Sequence, residues 1–129
     1  TIDFDIGRSR KDFRLRSAQP KAKGRLRDAL TRYEVISEAE QGGQKYALLE
    51  LHPETGRTHQ IRVHFSAIQR PIVCDVLYAP TRPPLLGFTR LALHALSILF
   101  VHPTTGREVT FEAPLPADFV AAEQKLRNG

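Results

Sequence analysis

Between Thr55 and Tyr78 the chain gathers side chains that can meet an anion. The stretch reads Thr55-Gly56-Arg57-Thr58-His59-Gln60-Ile61-Arg62-Val63-His64-Phe65, then Pro71-Ile72-Val73-Cys74-Asp75 and Tyr78. A Thr-Gly turn gives way to helical spacing, with Ile61, Phe65 and Ile68 at i, i+4 and i+7 as one apolar face. At 3.6 residues per turn, Thr58, His59, Arg62 and Ser66 lie within roughly 100° of one another on the other face. That face is a wall of hydroxyl, imidazole and guanidinium groups. Arg57 and His59 stand near the helix N-terminus, where the macrodipole disfavours cations. Positive charge kept there points to an anion that comes to meet it. Arg62 sits mid-helix, and its rigid fork suits a carboxylate or a phosphate.

Other chemistries find little support. Of five histidines, His59 and His64 are five apart and point in different directions, so the i, i+4 pair of a zinc helix is absent and no metal site is expected. His52 and His102 precede prolines in turns and read as structural. His94, in an apolar run, reads as a satisfied core histidine. There is no G-x-S-x-G element, phosphate-binding glycine loop or dinucleotide fingerprint. The acidic residues are scattered, with no evident acid/base pair. Cys74, the one cysteine, cannot form an internal disulfide; it reads as a small buried hydrophobe in a reducing, cytoplasmic protein.

The 129 residues fit one domain with a core of its own. Hydrophobic content of 41% and charged content of 26% are those of a soluble globular protein. No apolar run approaches the ~20 residues of a membrane span, and the start lacks a signal-peptide pattern. The chain contains no Met, so Thr1 reads as a processed or trimmed end. The net charge of +5 is uneven. Residues 1 to 32 carry ten Lys or Arg against four Asp, whereas residues 33 to 129 are nearly neutral. The excess predicts a basic arm or edge facing a polyanion such as a nucleic acid.

The elements that must position the polar wall are mainly strands. Ile2, Phe4 and Ile6 alternate with polar residues and predict a short strand ended by Gly7; the rest of 1 to 28 is basic and reads as an irregular segment broken by Pro20 and Gly24. Residues 29 to 38 and 45 to 51 predict a hairpin around Gln41-Gly42-Gly43-Gln44. The helix is expected from Thr58 to Ile68, stopped by Pro71, with Ile72-Val73-Cys74 as a short buried strand. Pro80, Pro83, Pro84 and Gly87 mark a surface loop. Leu91 to Val101 reads as a central strand, residues around Val109 and Phe111 as its hairpin partner, and Ala117 to Arg127 as an amphipathic helix. The fold class expected is α+β, a mixed and mainly antiparallel sheet with a few short helices. Leu51-His52-Pro53-Glu54-Thr55-Gly56-Arg57 is echoed by Val101-His102-Pro103-Thr104-Thr105-Gly106-Arg107, which reads as one strand-ending turn used twice.

The block Thr55 to His64, followed by Pro71-Ile72-Val73 and Asp75 through Tyr78, resembles the RluA-type pseudouridine synthases. Arg90-Leu91-Ala92-Leu93-His94-Ala95, His102-Pro103 and Phe111 to Phe119 follow in that family's order, and Thr31-x-Tyr33 precedes a strand as expected. The resemblance covers nearly the whole chain, more weakly before residue 29. It implies isomerisation of uridine to pseudouridine in structured RNA, ribosomal or transfer, with no metal or organic cofactor and with the target base flipped into a pocket. It implies an arginine at Arg62 that pairs with an essential aspartate, a pocket residue at Ile61, and RNA contacts at Arg57, Thr58, His59 and Gln60. The family's His-Arg-Leu-Asp-type motif is absent, and Asp3, Asp5, Asp12, Asp28, Asp75 and Asp118 all lack its context. Arg70 and Cys74 stand where the family usually has glycine. Residues 1–129 are therefore expected to be the C-terminal part of a catalytic domain, inactive alone, with Arg62 facing solvent, another carboxylate or an anion. Exposed sheet edge or apolar surface would favour self-association. The other expectation is a non-catalytic RNA-binding module, or one that completes a partner chain.

Overall fold

The hairpin predicted around Gly42 and Gly43 is the longest element of the structure, a computed structural model that describes residues 1–128. Strands β5 (Leu30–Gln41) and β6 (Gln44–Pro53) pair antiparallel from Gln41↔Gln44 to Thr31↔Pro53. Gly42 and Gly43 take φ of 58° and 77°, the two-residue turn whose twist matches the strands. Strand β1 (Ile2–Asp3) pairs with the other edge of β5, giving the order β1-β5-β6.

Residues 1 to 28 are not an irregular arm. Strands β2 (Ile6–Ser9), β3 (Arg16–Ala18) and β4 (Ala22–Arg27) form a second antiparallel sheet in the order β3-β2-β4. Gly7 lies inside β2 rather than ending a strand, because β2 and β4 approach too closely there for a side chain. A Cβ on Gly7 would lie 2.6 Å from the Lys23 carbonyl oxygen and 2.9 Å from Leu26 Cδ2. Ile6, Ala18 and Ala22 point inward, while Arg8, Lys23, Arg25 and Arg27 stay exposed. Ile6 and Ala18 join Ala29 and Val63 in the central apolar cluster, with Tyr78 packed against it.

Helix α1 (Gln60–Ala67) is shorter than its predicted span and is rotated about its axis. It buries Gln60, Val63, His64 and Phe65, whereas Ile61 and Ile68 are only half-buried. Two polar side chains face inward because each finds partners there, as described below. The predicted strand Ile72–Cys74 is instead a series of turns. The Asp75 N–H donates to the Ile72 carbonyl, the Ala79 N–H donates to that of Asp75, and Cys74 has φ 60°, so the chain cannot run extended there.

The predicted central strand from Leu91 to Val101 also needs correction. Only β7 (Ser97–Val101) is extended, and it pairs with β8 (Glu108–Glu112) in a separate, exposed two-stranded sheet. Before β7, Arg90 donates to the carbonyls of Leu91 and Leu93 and to both Asp118 carboxylate oxygens, which holds this stretch bent. Helix α2 (Ala117–Asn128) buries Ala122, and Phe119 meets Phe88 edge to face at 5.1 Å. The architecture is α+β with antiparallel pairing throughout.

Candidate functional site

A buried chain of hydrogen bonds anchors α1 to β5. The Thr55 hydroxyl accepts the Leu30 N–H at 3.0 Å and donates to Gln60 Oε1 at 2.6 Å. Gln60 Oε1 also accepts the Arg57 N–H at 3.0 Å, and Gln60 Nε2 donates to the Leu30 carbonyl and the Thr31 hydroxyl, both at 3.0 Å. Thr31 Oγ1 lies 2.8 Å from His64 Nδ1, and His64 Nε2 lies 2.8 Å from the Phe4 carbonyl. A carbonyl only accepts, so His64 carries its proton on Nε2, and its Nδ1 accepts the Thr31 hydroxyl proton. The bonds therefore run from Gln60 to Thr31 to His64 to Phe4. Burial holds the His64 imidazole below its usual pKa, offset in part by the Phe4 carbonyl and Asp3. Thr31 and His64 are fully buried.

With α1 so fixed, Arg62 projects against the turns that follow the helix. Its Nε donates to Asp75 Oδ2 at 3.0 Å and its Nη2 to Asp75 Oδ1 at 2.7 Å, a bidentate pair. The Asp75 side chain has no solvent exposure and that of Arg62 only 17%. Burial pushes the Asp75 carboxyl up, but Arg62 and the amide N–H groups of Tyr78 and Leu77 outweigh it and hold it below the usual carboxylate range. The Arg62 guanidinium also lies over the Tyr78 ring, 5.2 Å from its centroid. Arg62 thus meets another carboxylate, as expected, but that carboxylate is in this chain. Sequence reasoning did not assign Asp75 this role. The signal was its place three residues before Tyr78, where a carboxylate can cap the amides that follow.

Pro53, Thr55, Gly56, Arg57, His59 and Gln60, with Ile61, Arg62 and Leu93, line a cleft of about 220 Å³. Arg57, His59, Ile61 and Arg62 are thereby brought together. Thr58 is exposed on the turn before α1 and does not line the cleft. Arg57 is tied to Asp28, with Nε on its carbonyl and Nη2 on its carboxylate, both at 2.8 Å. His59 is at the N-cap in the left-handed region, φ 56° and ψ 22°, and its Nδ1 lies 2.8 Å from the Tyr78 hydroxyl. Gln60 is 4% exposed, with its amide taken up by the buried chain just described. A larger depression of about 440 Å³ beside α2, lined by Gln41, Ala121, Gln124, Lys125 and Asn128, shares no residue with this cleft.

Comparison with known proteins bears on what this cleft is. The profile described as RNA pseudouridylate synthase matches residues 2–67, which contain Arg57, His59, Ile61 and Arg62. The chain is 40% identical over 127 residues to the uncharacterized RNA pseudouridine synthase YlyB of Bacillus subtilis, spanning 98% of this chain and 39% of that protein. It is 38% identical over 137 residues to the ribosomal large subunit pseudouridine synthase D of Vibrio parahaemolyticus, spanning 98% of this chain and 40% of that protein. The solved structure of human RNA pseudouridylate synthase domain containing 1 superposes with a TM-score of 0.74 at 30% identity, over 89% of this chain and 47% of that one. The chain spans about two fifths of the length of these curated relatives. By its sequence pattern and its fold, the chain belongs to the RNA pseudouridylate synthase family.

Proposed function

We propose that residues 1–129 are the C-terminal part of a cytoplasmic RNA pseudouridine synthase catalytic domain that isomerises uridine to pseudouridine in ribosomal or transfer RNA, without metal, organic cofactor or membrane. The observation that carries this reading is the state of Arg62. It lines the cleft, is clamped from behind by Asp75 and Tyr78, and has no partner for Nη1 among the described residues. A guanidinium held in this way has a free edge for a second carboxylate. The His-Arg-Leu-Asp-type motif, absent from this chain, would supply it. Ile61 forms part of the cleft wall, Arg57, Thr58 and His59 face RNA, and Gln60 anchors the helix that carries them. The test is pseudouridine formation in ribosomal or transfer RNA. The 129-residue chain alone should give none, and measurable turnover would show that it holds its own catalytic aspartate.

A second reading, a non-catalytic RNA-binding or partner-completing module of the same fold, draws on two surfaces. The sheet β3-β2-β4 and its turns carry nine Lys or Arg between residues 1 and 28. Ile98, Leu99, Val101 and Phe111 of β7 and β8 are exposed and offer apolar surface for self-association. RNA binding that weakens steeply with salt is expected on either reading. Restored turnover on adding a chain that carries the aspartate motif separates the enzyme from the module.

A further inference from the structure

His59 is held where a residue with a Cβ is disfavoured, and it makes no side-chain cap to the helix that follows. What it makes instead is a contact with Tyr78. Its Nδ1 lies 2.8 Å from the Tyr78 hydroxyl, and the two rings meet edge to face with centroids 5.6 Å apart. Backbone strain kept at a cleft wall is a reason to look for a binding role. The proton directions follow from counting donors. Tyr78 Oη already accepts the Arg16 N–H at 3.1 Å. Were His59 also to donate to it, the hydroxyl proton would have no acceptor among the described residues. With the hydroxyl donating to Nδ1, its proton has an acceptor, and the imidazole proton sits on Nε2. His59 lines the cleft, its Nδ1 is taken up by Tyr78, and its Nε2 has no partner among the described residues. Nε2–H is the polar atom of the ring left for a ligand.

We propose that Tyr78 locks His59 as its neutral Nε2–H tautomer, so that His59 is a fixed hydrogen-bond donor which, beside Arg62, receives an acceptor oxygen of the bound RNA. This deepens the RNA-synthase reading and rests on it. The charged and titratable groups facing the imidazole are Arg62 from α1, Asp75 and Tyr78 from the turns after it, and Arg16 from β3. Burial and the Arg62 cation hold His59 below its usual pKa, with Asp75 opposing. Burial pushes the Tyr78 phenol up, so it stays protonated and able to donate. His59 is the binding residue here and Tyr78 the positioning residue.

Long-range nitrogen–proton NMR on the chain separates the tautomers. The expected spectrum has a protonated Nε2 and an unprotonated Nδ1 for His59, persisting below the ordinary histidine pKa of about 6.5. An Nδ1–H tautomer overturns the inference. Binding is then read with a uridine-containing RNA stem-loop as probe. His59→Gly removes the donor but suits the left-handed backbone, so the fold survives. It should weaken binding about tenfold, the worth of one good hydrogen bond, with Tm near that of the unmodified chain. Tyr78→Phe keeps the ring over Arg62 and removes the lock; it should give a mixture of tautomers and weaker binding. A lower Tm with unchanged RNA affinity in both variants is the signature of a purely structural contact and overturns the inference. If the unmodified chain binds no RNA, the broader reading fails with it; if it binds and His59→Gly binds equally well, only the role of His59 fails.

Discussion

Leu51-His52-Pro53-Glu54-Thr55-Gly56-Arg57 ends β6 and leads into α1, whereas Val101-His102-Pro103-Thr104-Thr105-Gly106-Arg107, nearly the same text, ends β7 and turns straight back as β8. The second turn closes on itself. The His102 N–H donates to the Arg107 carbonyl at 2.8 Å, the Gly106 N–H donates to that of His102 at 2.9 Å, and the amides of Thr104 and Thr105 donate to His102 Nδ1. Gly106 takes φ 69° to allow it. The first turn closes on the rest of the fold. Thr55 joins Leu30 to Gln60, Arg57 reaches Asp28, and the Glu54 N–H donates to the Leu30 carbonyl. One turn becomes the wall of a cleft and the other the end of an exposed apolar hairpin. A turn's own sequence sets what it can do, and the groups that reach it from elsewhere decide which it does.

Two ion pairs, one beside the cleft and one beside the start of the β7–β8 hairpin, give the sharpest contrast. Asp75→Ala leaves the Arg62 guanidinium mostly buried without its partner and should cost roughly 3–5 kcal/mol in urea unfolding. Asp118→Ala, which removes the partly exposed partner of Arg90 beside the second region, should cost about 1 kcal/mol or less. Equal losses would end the distinction between the two regions.

The threonines come next. Thr55→Ala orphans the Leu30 N–H and part of the Gln60 amide and should cost about 1–3 kcal/mol. Thr105→Ala loses only an exposed bond to the Arg107 N–H, so a change within about 0.5 kcal/mol is expected. Thermal unfolding of the two variants side by side decides it.

Acid should loosen the first region before the second. The folded-state pKa of His64 lies below the unfolded value of about 6.5. Its contribution to stability is therefore fully present above that value and is lost as pH falls through the folded pKa. The slope is bounded by about 1.4 kcal/mol per pH unit for one group. His59, also lowered, adds in the same direction. Hydrogen exchange should show the amides of α1 losing protection below about pH 6.5 while those of β7 and β8 hold. A His64→Gln variant with the same pH dependence would rule out His64 as the cause.

The smallest effect concerns the two glycines. Gly106→Ala must adopt positive φ and should lose about 1 kcal/mol. Gly56 has no such φ, and the space where an alanine methyl would stand is open, so Gly56→Ala should be within about 0.5 kcal/mol of neutral. A Tm series on both checks this.

Much of the fold could be read from short-range pattern. Gly42-Gly43 between alternating segments specified the β5–β6 hairpin, and the amphipathic pattern from Ala117 to Arg127 specified α2. The helix at α1 was legible, but its orientation was not. Apolar spacing chose Ile61, Phe65 and Ile68; Phe65 is buried, but Gln60 and His64 are buried where the two isoleucines are only half-buried, because Thr31 and Phe4 wait on the far side of the interface. The basic residues of 1 to 28 hid two of the sheet's strands for a similar reason: the inward residues of β3 and β4 are the small Ala18 and Ala22, which carry little hydrophobic signal. In the site, Arg62 was visible as a cation on a helix, and Asp75 as its partner was not.

By itself, the sequence determined the α+β class, the main hairpin, both helices and the residue block that marks the family, since each rests on neighbours a few positions apart or on a contiguous pattern. Only the tertiary structure decided that Arg62 is clamped by Asp75 thirteen residues on, that His64 is bonded to Phe4 sixty residues away, and that one of two like turns walls a cleft. The physical reason is that a buried polar side chain goes where its hydrogen bonds can be made, and the partners here come from strands and turns that only folding brings together.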